Sequence, residues 1–173
     1  MHLQTQRLRF EPLGLSSVAL IHALHSIPEV AQYNTIGIPK DLVATHEVLK
    51  PRLDTTNSSY LGWVLYDQNK TFMGEAGMVF AAPRFLKAEV SYTIHPDFWN
   101  QGLATEALKR LISYAFEECQ LHRLEAGVAV TNGASIRVLE KAGMQREGRH
   151  RQILPLTEGW TDNFSYAILK TDG

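Results

Sequence analysis

This sequence of 173 residues contains a single cysteine, Cys119, so no disulfide can form within the chain. That composition suits a reducing compartment, and we expect a cytoplasmic protein. The N-terminal segment is polar where a signal peptide needs an apolar core. No apolar run approaches the roughly 20 residues that a membrane-spanning helix needs, so we expect no membrane partner.

An excess of charge of one sign is also missing. The formal net charge is −1 and the basic residues form no run, so nucleic acid is not an expected partner. None of the seven histidines stands near Cys or another His at a zinc-site spacing, so the sequence predicts no metal site. It lacks both the G-x-G-x-x-G fingerprint and the G-K-[ST] of a Walker loop, which disfavours a nucleotide-binding protein.

The overall composition is typical of a globular protein, with 45% hydrophobic and 20% charged residues. We therefore expect residues 1–173 to form one domain. Periodicity predicts strands at 8–12, 60–66, 72–80, 87–95, 124–130, 144–153 and 164–169, helices at 17–25, 43–54, 103–119 and 134–142, and a loop at 27–41. This order predicts an α/β fold with a mixed, mostly antiparallel sheet of about six or seven strands and helices on both faces.

The segment 95–106 is the most informative part of the chain. A strand ends, a polar loop turns, and the clearest amphipathic helix begins. Free backbone N–H groups and the positive end of the helix dipole make such a start an anion site. Gly102 and Ala104 are small enough to let a phosphate approach the main chain. A plain tight turn before a helix is the alternative, because small residues are common at helix starts.

The letters W-N-Q-G-L-A-T-E at 99–106 resemble the pyrophosphate loop of GNAT acetyltransferases, [Q/R]-x-x-G-x-[G/A]. Trp99 departs from the general pattern, but an aromatic residue there is typical of the branch similar to RimJ and RimL, the ribosomal-protein N-terminal acetyltransferases. The T-x-R-L-x-x-x-P-L segment that begins at Thr5 also resembles this branch. The resemblance implies a GNAT fold with its sheet splayed at the cofactor cleft, and acetyl-CoA as co-substrate. It places the CoA pyrophosphate on the amides of Asn100, Gln101, Gly102, Leu103, Ala104 and Thr105.

A second segment, 132–144, resembles the N-x-x-S-x-x-x-L-E-K-x-G-[F/M] helix of the same family. The resemblance implies that Asn132 binds the pantetheine arm and that Lys141 belongs to the cofactor site. Taken alone, Asn132 is typical of an ordinary helix cap, but its position about 30 residues after the phosphate loop favours the binding role. Many members carry a catalytic Tyr where Leu139 stands here. The RimJ/RimL-like branch has a Ser at the position of Ser135, which makes Ser135 the candidate acid for the leaving thiolate; its alternative role is to start the helix.

A third segment, 88–94, resembles the family strand that a bulge splays from its neighbour. The resemblance implies that backbone groups near Thr93 and Ile94 hold the pantetheine amides and the thioester oxygen. Glu89 resembles the family's catalytic base, which acts directly or through water, although a solvated charge at a strand edge is an equal alternative. By resemblance, four residues also fall where the family builds its acceptor pocket: Tyr33, Asn34, Trp160 and Asp162.

These features predict an N-acetyltransferase that acts on a primary amine, with a protein N-terminal α-amino group as the expected acceptor. Two alternatives stay open: acetylation of a small amine, such as an aminoglycoside, polyamine or amino acid, and a CoA-binding sensor without turnover. Cys119 lies at a helix end away from the loop, so an acyl-cysteine is not expected. The sequence leaves a homodimer open.

Overall fold

The computed structural model describes residues 3–54 and 56–172. The strands are β1 (Leu3–Gln4), β2 (Arg9–Pro12), β3 (Tyr60–Tyr66), β4 (Phe72–Phe80), β5 (Lys87–Ile94), β6 (Arg123–Ala129), β7 (Gln145–Leu156) and β8 (Gly159–Leu169). The α-helices are α1 (Val18–His25), α2 (Pro28–Ala31), α3 (Leu42–Leu53), α4 (Leu103–Ser113) and α5 (Gly133–Lys141). A π-helical turn, Tyr114–Glu118, prolongs α4.

The strands form one 8-stranded sheet in the order β1-β2-β3-β4-β5-β6-β8-β7. Every pair is antiparallel except β5 and β6, which α4 connects as a crossover helix. The predicted mixed, mostly antiparallel sheet is confirmed. The strand beyond the predicted number is β1, which has 2 residues and is too short to show an alternating pattern.

A gap opens in the middle of the sheet, between β5 and β6. These strands pair only where Lys87–Glu89 lies beside Arg123–Glu125. Beyond that point β5 pairs with β4 alone and β6 with β8 alone. The strands therefore diverge from Val90 and Ala126 onward, and the expected splay is confirmed.

The expectation of a bulge in the strand 88–94 is wrong. The register between β4 and β5 runs without a shift, and the irregularity lies in β4, where the β3 partners skip Met73. Gly74 makes this distortion feasible, because its φ is +147° and a Cβ there would lie 2.0 Å from the carbonyl oxygen of Thr93. The backbones of β4 and β5 thus approach closely beside the gap.

The two faces of the sheet carry different helices. Strand alternation puts Met78 and Val90 on one face, where they join the core formed with Leu108 of α4 and Leu139 of α5. Glu75 points to the other face, where it contacts α1. Helices on both faces are therefore confirmed, and the gap can be approached from either side.

Several boundaries differ from the periodicity-based prediction. The segment 27–41 contains the short helix α2, because Pro28 occupies the first helical position, where its fixed φ suits the turn. Helix α3 continues through Pro51, which lies in its last turn and so disrupts little of the helix. Strand β7 extends through Pro155 to Leu156. Among the described residues, no helix is both long enough and apolar enough to cross a membrane.

Candidate active site

The loop between β5 and α4 lies at the open end of the gap. A 3-10 turn, Pro96–Phe98, follows β5, and two residues then adopt a left-handed backbone: Asn100 with φ of +61° and Gly102 with φ of +79°. Gly102 is the N-cap of α4 and supplies no side chain to its first turn. In the described part of the chain, no acceptor is hydrogen-bonded to the amides of Leu103, Ala104 and Thr105. A Cβ on Gly102 would meet only the Arg7 guanidinium, at 3.6 Å, so the space beside the loop fits a phosphate group.

Arg7 is a neighbour of this loop that the sequence did not single out. Its Nη1 donates to the Gln101 carbonyl at 2.8 Å and its Nε donates to Glu106 Oε2 at 2.6 Å. Thr5 Oγ1 donates to the other carboxylate oxygen of Glu106 at 2.5 Å. Burial opposes ionisation of Glu106, but the hydrogen bonds from Thr5 and Arg7 outweigh it and hold its pKa below the usual value. The N-terminal segment therefore anchors the loop and places the Arg7 guanidinium, paired with Glu106, beside it.

Trp99 fixes the loop from the opposite side. Its indole Nε1 donates to the Ile94 carbonyl at 2.6 Å, across the turn from the end of β5. The Ile94 carbonyl thus already has a partner within the protein. The backbone groups that remain near Thr93 and Ile94 stay the predicted contacts for pantetheine.

Helix α5 borders the gap beside β6. Asn132 is its N-cap, since Asn132 Oδ1 accepts from the Ser135 amide at 3.0 Å. The capping alternative is therefore present, while the Asn132 side-chain N–H groups make no hydrogen bond in the described part of the chain. Leu139 is 2% exposed and packs in the core. Lys141 lies at the other end of the helix, about 13 Å along the axis from Asn132.

Tyr92 faces Ser135 and was also missed from the sequence. Its hydroxyl is buried and has no hydrogen-bond partner within the described residues. Burial raises the pKa of Tyr92 to about 12, and the nearby Ser135 hydroxyl opposes that shift without completing a well-formed hydrogen bond. Tyr92 therefore stays protonated near neutral pH and presents an unused O–H group beside the candidate acid.

Glu89 lies at the narrow end of the gap. It is three positions from Tyr92 along β5, and because successive side chains alternate, the two point to opposite faces of the sheet. Its neighbour Glu125 is paired with Lys87 at 2.9 Å and Arg123 at 2.7 Å. Glu89 itself makes no ion pair or hydrogen bond in the described part of the chain. Its side chain lines a cavity of about 360 Å³. Glu89 is an exposed residue, but partial desolvation by its neighbours, and then the charge of Glu125, raise its pKa, the direction that favours a general base.

The loop after α2 closes the other face of the gap. The Tyr33 hydroxyl donates to the Thr131 carbonyl at 3.4 Å, so the loop reaches the segment that precedes α5. Asn34 Nδ2 lies 2.9 Å from His25 Nδ1, and His25 Nε2 lies 2.5 Å from Glu75 Oε1. The structure thus brings Tyr33 and Asn34 to the cleft, together with His25 and Glu75, which the sequence did not indicate.

The two other acceptor candidates lie on the β7–β8 hairpin. Trp160 is 66% exposed, opposite Pro155. Asp162 accepts from the Gln152 amide at 2.8 Å and from Arg149 Nε at 2.6 Å. These two contacts, the backbone one first, lower the pKa of Asp162. Its carboxylate therefore holds the irregular part of the hairpin, where the register of β7 shifts.

Neither a cluster of metal-ligating side chains nor an activated thiol is present in the described ranges. Residues 3–54 and 56–172 contain no group of three or more His, Cys, Asp or Glu side chains placed to hold a metal ion. Burial raises the pKa of the Cys119 thiol, which makes it a weak nucleophile near neutral pH.

Comparison with known proteins identifies a protein family and several relatives. A family model described as an acetyltransferase (GNAT) domain matches residues 7–145. The chain is 37% identical over 84 residues to the uncharacterized N-acetyltransferase YnaD of Bacillus subtilis, a match that covers 49% of each protein. It is 38% identical over 86 residues to the "Putative ribosomal N-acetyltransferase YdaF" of the same organism, covering 50% of this chain and 47% of YdaF. The chain thus spans about half the length of these relatives.

A solved structure extends the likeness to the complete fold. The spermidine N-acetyltransferase of Vibrio cholerae, in complex with CoA and spermine, superimposes with a TM-score of 0.87 at 20% identity. The superposition covers 97% of this chain and 98% of that one. At this identity the likeness concerns the fold.

Proposed function

The chain belongs to the GNAT acetyltransferase family, and on that premise we propose that it transfers the acetyl group of acetyl-CoA to a primary amine, with the α-amino group at a protein N-terminus as the acceptor. The observation that carries the proposal is the uncapped start of α4 at the open end of the gap between β5 and β6. A cytoplasmic location follows from the same proposal, because acetyl-CoA and new protein chains are both present there.

The donor half of the site is assigned to the loop and to α5. The free amides of α4 hold the pyrophosphate, and the Arg7 guanidinium, paired with Glu106, lies beside them. Asn132 directs its unused amide N–H groups to the pantetheine arm, and Thr93 and Ile94 contribute backbone groups from β5. Arg7 extends the donor site beyond the residues that the sequence indicated.

The reacting half of the site lies between the two faces of the sheet. When bound, acetyl-CoA supplies an acetyl group activated as a thioester. The acceptor reaches it from the face of Glu89, which takes up a proton directly or through water as nitrogen bonds to the acetyl carbon. As the carbon–sulfur bond breaks, the Ser135 hydroxyl, on the face of Tyr92, passes its proton to the sulfur and regains one from water. Acid and base on opposite faces keep the two proton transfers apart.

Two observations bear on the choice of acceptor. The name of YdaF points to ribosomal proteins, whereas the Vibrio cholerae structure is of an enzyme that acetylates spermidine. An α-amino group has a reference pKa of about 8, against about 10.4 for an alkyl amine such as lysine, so it is more easily deprotonated for attack. We therefore favour the N-terminal acceptor and keep the small amine as the second candidate.

The test is a comparison of acceptors with the purified chain. Acetyl-CoA is incubated with hexapeptides that have free N-termini, with the same peptides blocked at the N-terminus, and with spermidine. Thiol release measures turnover and mass spectrometry locates the acetyl group. Acetylation of free peptides alone supports the proposal. Acetylation of spermidine alone replaces it with the second candidate, and CoA binding without thiol release identifies a sensor.

A further inference from the structure

We propose that Glu75, held in place by His25 and Asn34, binds the ammonium form of the acceptor and takes the first proton from it. This inference rests on the proposed function and assigns the acceptor half of the same site. It names a class of ligand, a primary ammonium group, and a residue that neither the sequence nor the family comparison indicated.

The orientation of the Asn34 amide is determined by its backbone contacts. Asn34 Oδ1 accepts from the Ile36 amide at 2.9 Å and from the Gly37 amide at 2.7 Å. Both of these contacts are backbone N–H donors, and only the oxygen of the Asn34 amide can accept from them. The nitrogen of the Asn34 amide is therefore the atom that faces His25. The hydrogen bond from Asn34 Nδ2 to His25 Nδ1 therefore has a defined direction.

That direction determines the state of His25. Because Nδ1 accepts a hydrogen bond, it carries a lone pair, so the ring is neutral and its proton is on Nε2. His25 Nε2 then donates to Glu75 Oε1. An imidazolium would place two donors, Asn34 Nδ2 and His25 Nδ1, 2.9 Å apart. His25 thus orients Glu75 without neutralising its charge.

With a neutral His25, Glu75 contacts no cation within residues 3–54 and 56–172, and its side chain is largely enclosed. Its side chain is 12% exposed, and Oε2 makes no hydrogen bond in the described part of the chain. The Arg52 guanidinium lies over the Tyr60 ring, 5.5 Å from the centroid, and forms no ion pair with Glu75 within the described ranges. An enclosed negative charge of this kind is stabilised by a cation that binds beside it.

The position of Glu75 suits the acceptor better than that of Glu89. Glu75 is directly opposite Thr93 in the β4–β5 ladder, which places their Cβ atoms about 5 Å apart. Glu89 is four residues from Thr93 along β5, or about 13 Å. If the thioester lies near Thr93, as proposed, Glu75 is the carboxylate within reach of an amine that attacks it, and Glu89 acts at longer range through water.

Tyr60 forms an aromatic wall beside this carboxylate. Its side chain crosses Gly62 and Gly77 so closely that a Cβ on Gly62 would lie 2.6 Å from Cε1 of the ring, and a Cβ on Gly77 would lie 2.6 Å from the hydroxyl oxygen. Gly77 is two residues from Glu75 and on the same face of β4. Tyr60 therefore helps to enclose the carboxylate with its hydroxyl end, while Arg52 lies over its ring.

The first proton moves from the bound ammonium nitrogen to Glu75. One N–H bond of the bound ammonium breaks and one O–H bond forms at Glu75 Oε2, leaving a neutral amine whose lone pair is free to attack. The second proton leaves nitrogen as the amide forms and passes to water; Glu89, about 13 Å from Thr93, receives it only through a chain of water molecules.

The experiment uses the full chain and compares Glu75→Gln, Glu89→Gln and Glu11→Gln. Glutamine keeps the size of the side chain and still accepts from His25. Calorimetry without acetyl-CoA measures binding of the acceptor probe, which is whichever hexapeptide or spermidine the wild type acetylates. We expect Glu75→Gln to weaken that binding at least tenfold and to lower kcat/KM by about 10²–10⁴-fold. CoA affinity should not change, and Glu11→Gln should match wild type in every measurement.

Near wild-type acceptor binding and turnover for Glu75→Gln, with a large loss in Glu89→Gln, would overturn the inference while leaving the proposed function intact. If Glu75→Gln fails to fold, Asn34→Asp provides the test. An aspartate accepts from His25 Nδ1–H, so it favours an imidazolium that neutralises Glu75, and the acceptor KM should rise several-fold. An unchanged KM in Asn34→Asp contradicts the inference. A wild type that acetylates no amine contradicts the proposed function instead.

Discussion

Gly102→Ala tests the phosphate site with a single methyl group. Gly102 has φ of +79°, and the added Cβ would meet only Arg7 Nη2 at 3.6 Å, which is an ordinary contact. The fold should therefore accept the substitution sterically. The methyl group would nevertheless project into the space where phosphate oxygens are proposed to approach the amides of α4.

The expected magnitudes separate folding from binding. An alanine in the left-handed region costs about 1–2 kcal/mol of folding free energy. In a chain of this size, that lowers Tm by roughly 2–8 °C. Loss of one charge-assisted hydrogen bond to phosphate costs about 1.5–3 kcal/mol of binding free energy, so Kd for CoA should rise about ten- to 150-fold.

Gly37→Ala is the matched control for this substitution. Gly37 lies between α2 and α3 and not at the start of α4; it has φ of +69° and no atom within 4 Å of an added Cβ, so an alanine there carries a similar backbone cost. Calorimetry with CoA, together with thermal unfolding, compares the two variants. A similar fall in Tm for both, with weaker CoA binding only in Gly102→Ala, is the expected result. Unchanged CoA affinity in Gly102→Ala would refute the placement of the pyrophosphate.

Three further predictions concern the residues around the gap. Ser135→Ala should lower kcat by about 10²-fold with little change in Kd for CoA, because the proton reaches sulfur only in the transition state; single-turnover kinetics at the wild-type rate would exclude Ser135 as the acid. Tyr92→Phe should unfold at the same or a higher temperature than wild type. It removes a buried hydroxyl that has no partner within the described residues, and burial of such a group costs about 1–3 kcal/mol. A marked loss of stability would show that the hydroxyl is hydrogen-bonded in solution. The pKa of Glu106 is lowered in the folded state, so its contribution to stability is present above the unfolded pKa of about 4.5 and lost as pH falls through the folded value. Urea unfolding of Glu106→Gln should therefore depend less on pH between 5 and 3 than that of wild type, and an identical pH dependence would contradict the pairing with Arg7.

Local patterns in the sequence determined most of the elements and half of the candidate site. Seven of the strands and the four longer helices follow from periodicity, because alternation and helical repeats depend on neighbours only a few residues apart. The uncapped start of α4 at Gly102 and the Asn132 cap of α5 are local for the same reason. Elements of two or four residues, such as β1 and α2, are too short for a repeat to appear.

The acceptor half of the site was decided by tertiary structure. His25 and Glu75 are 50 residues apart in the chain, and Arg7 and Glu106 are 99 apart. Neither pair forms a sequence pattern, because each joins elements whose proximity depends on how the whole sheet assembles. The contacts that leave Glu75 Oε2 without a partner in the described part of the chain, and that set the tautomer of His25, depend on which atoms face each other, and only the folded chain specifies that. The sequence, through its resemblance to the family, predicts where the donor binds, whereas the proposed site for the acceptor depends on the packing of α1 and the Asn34 loop against β4.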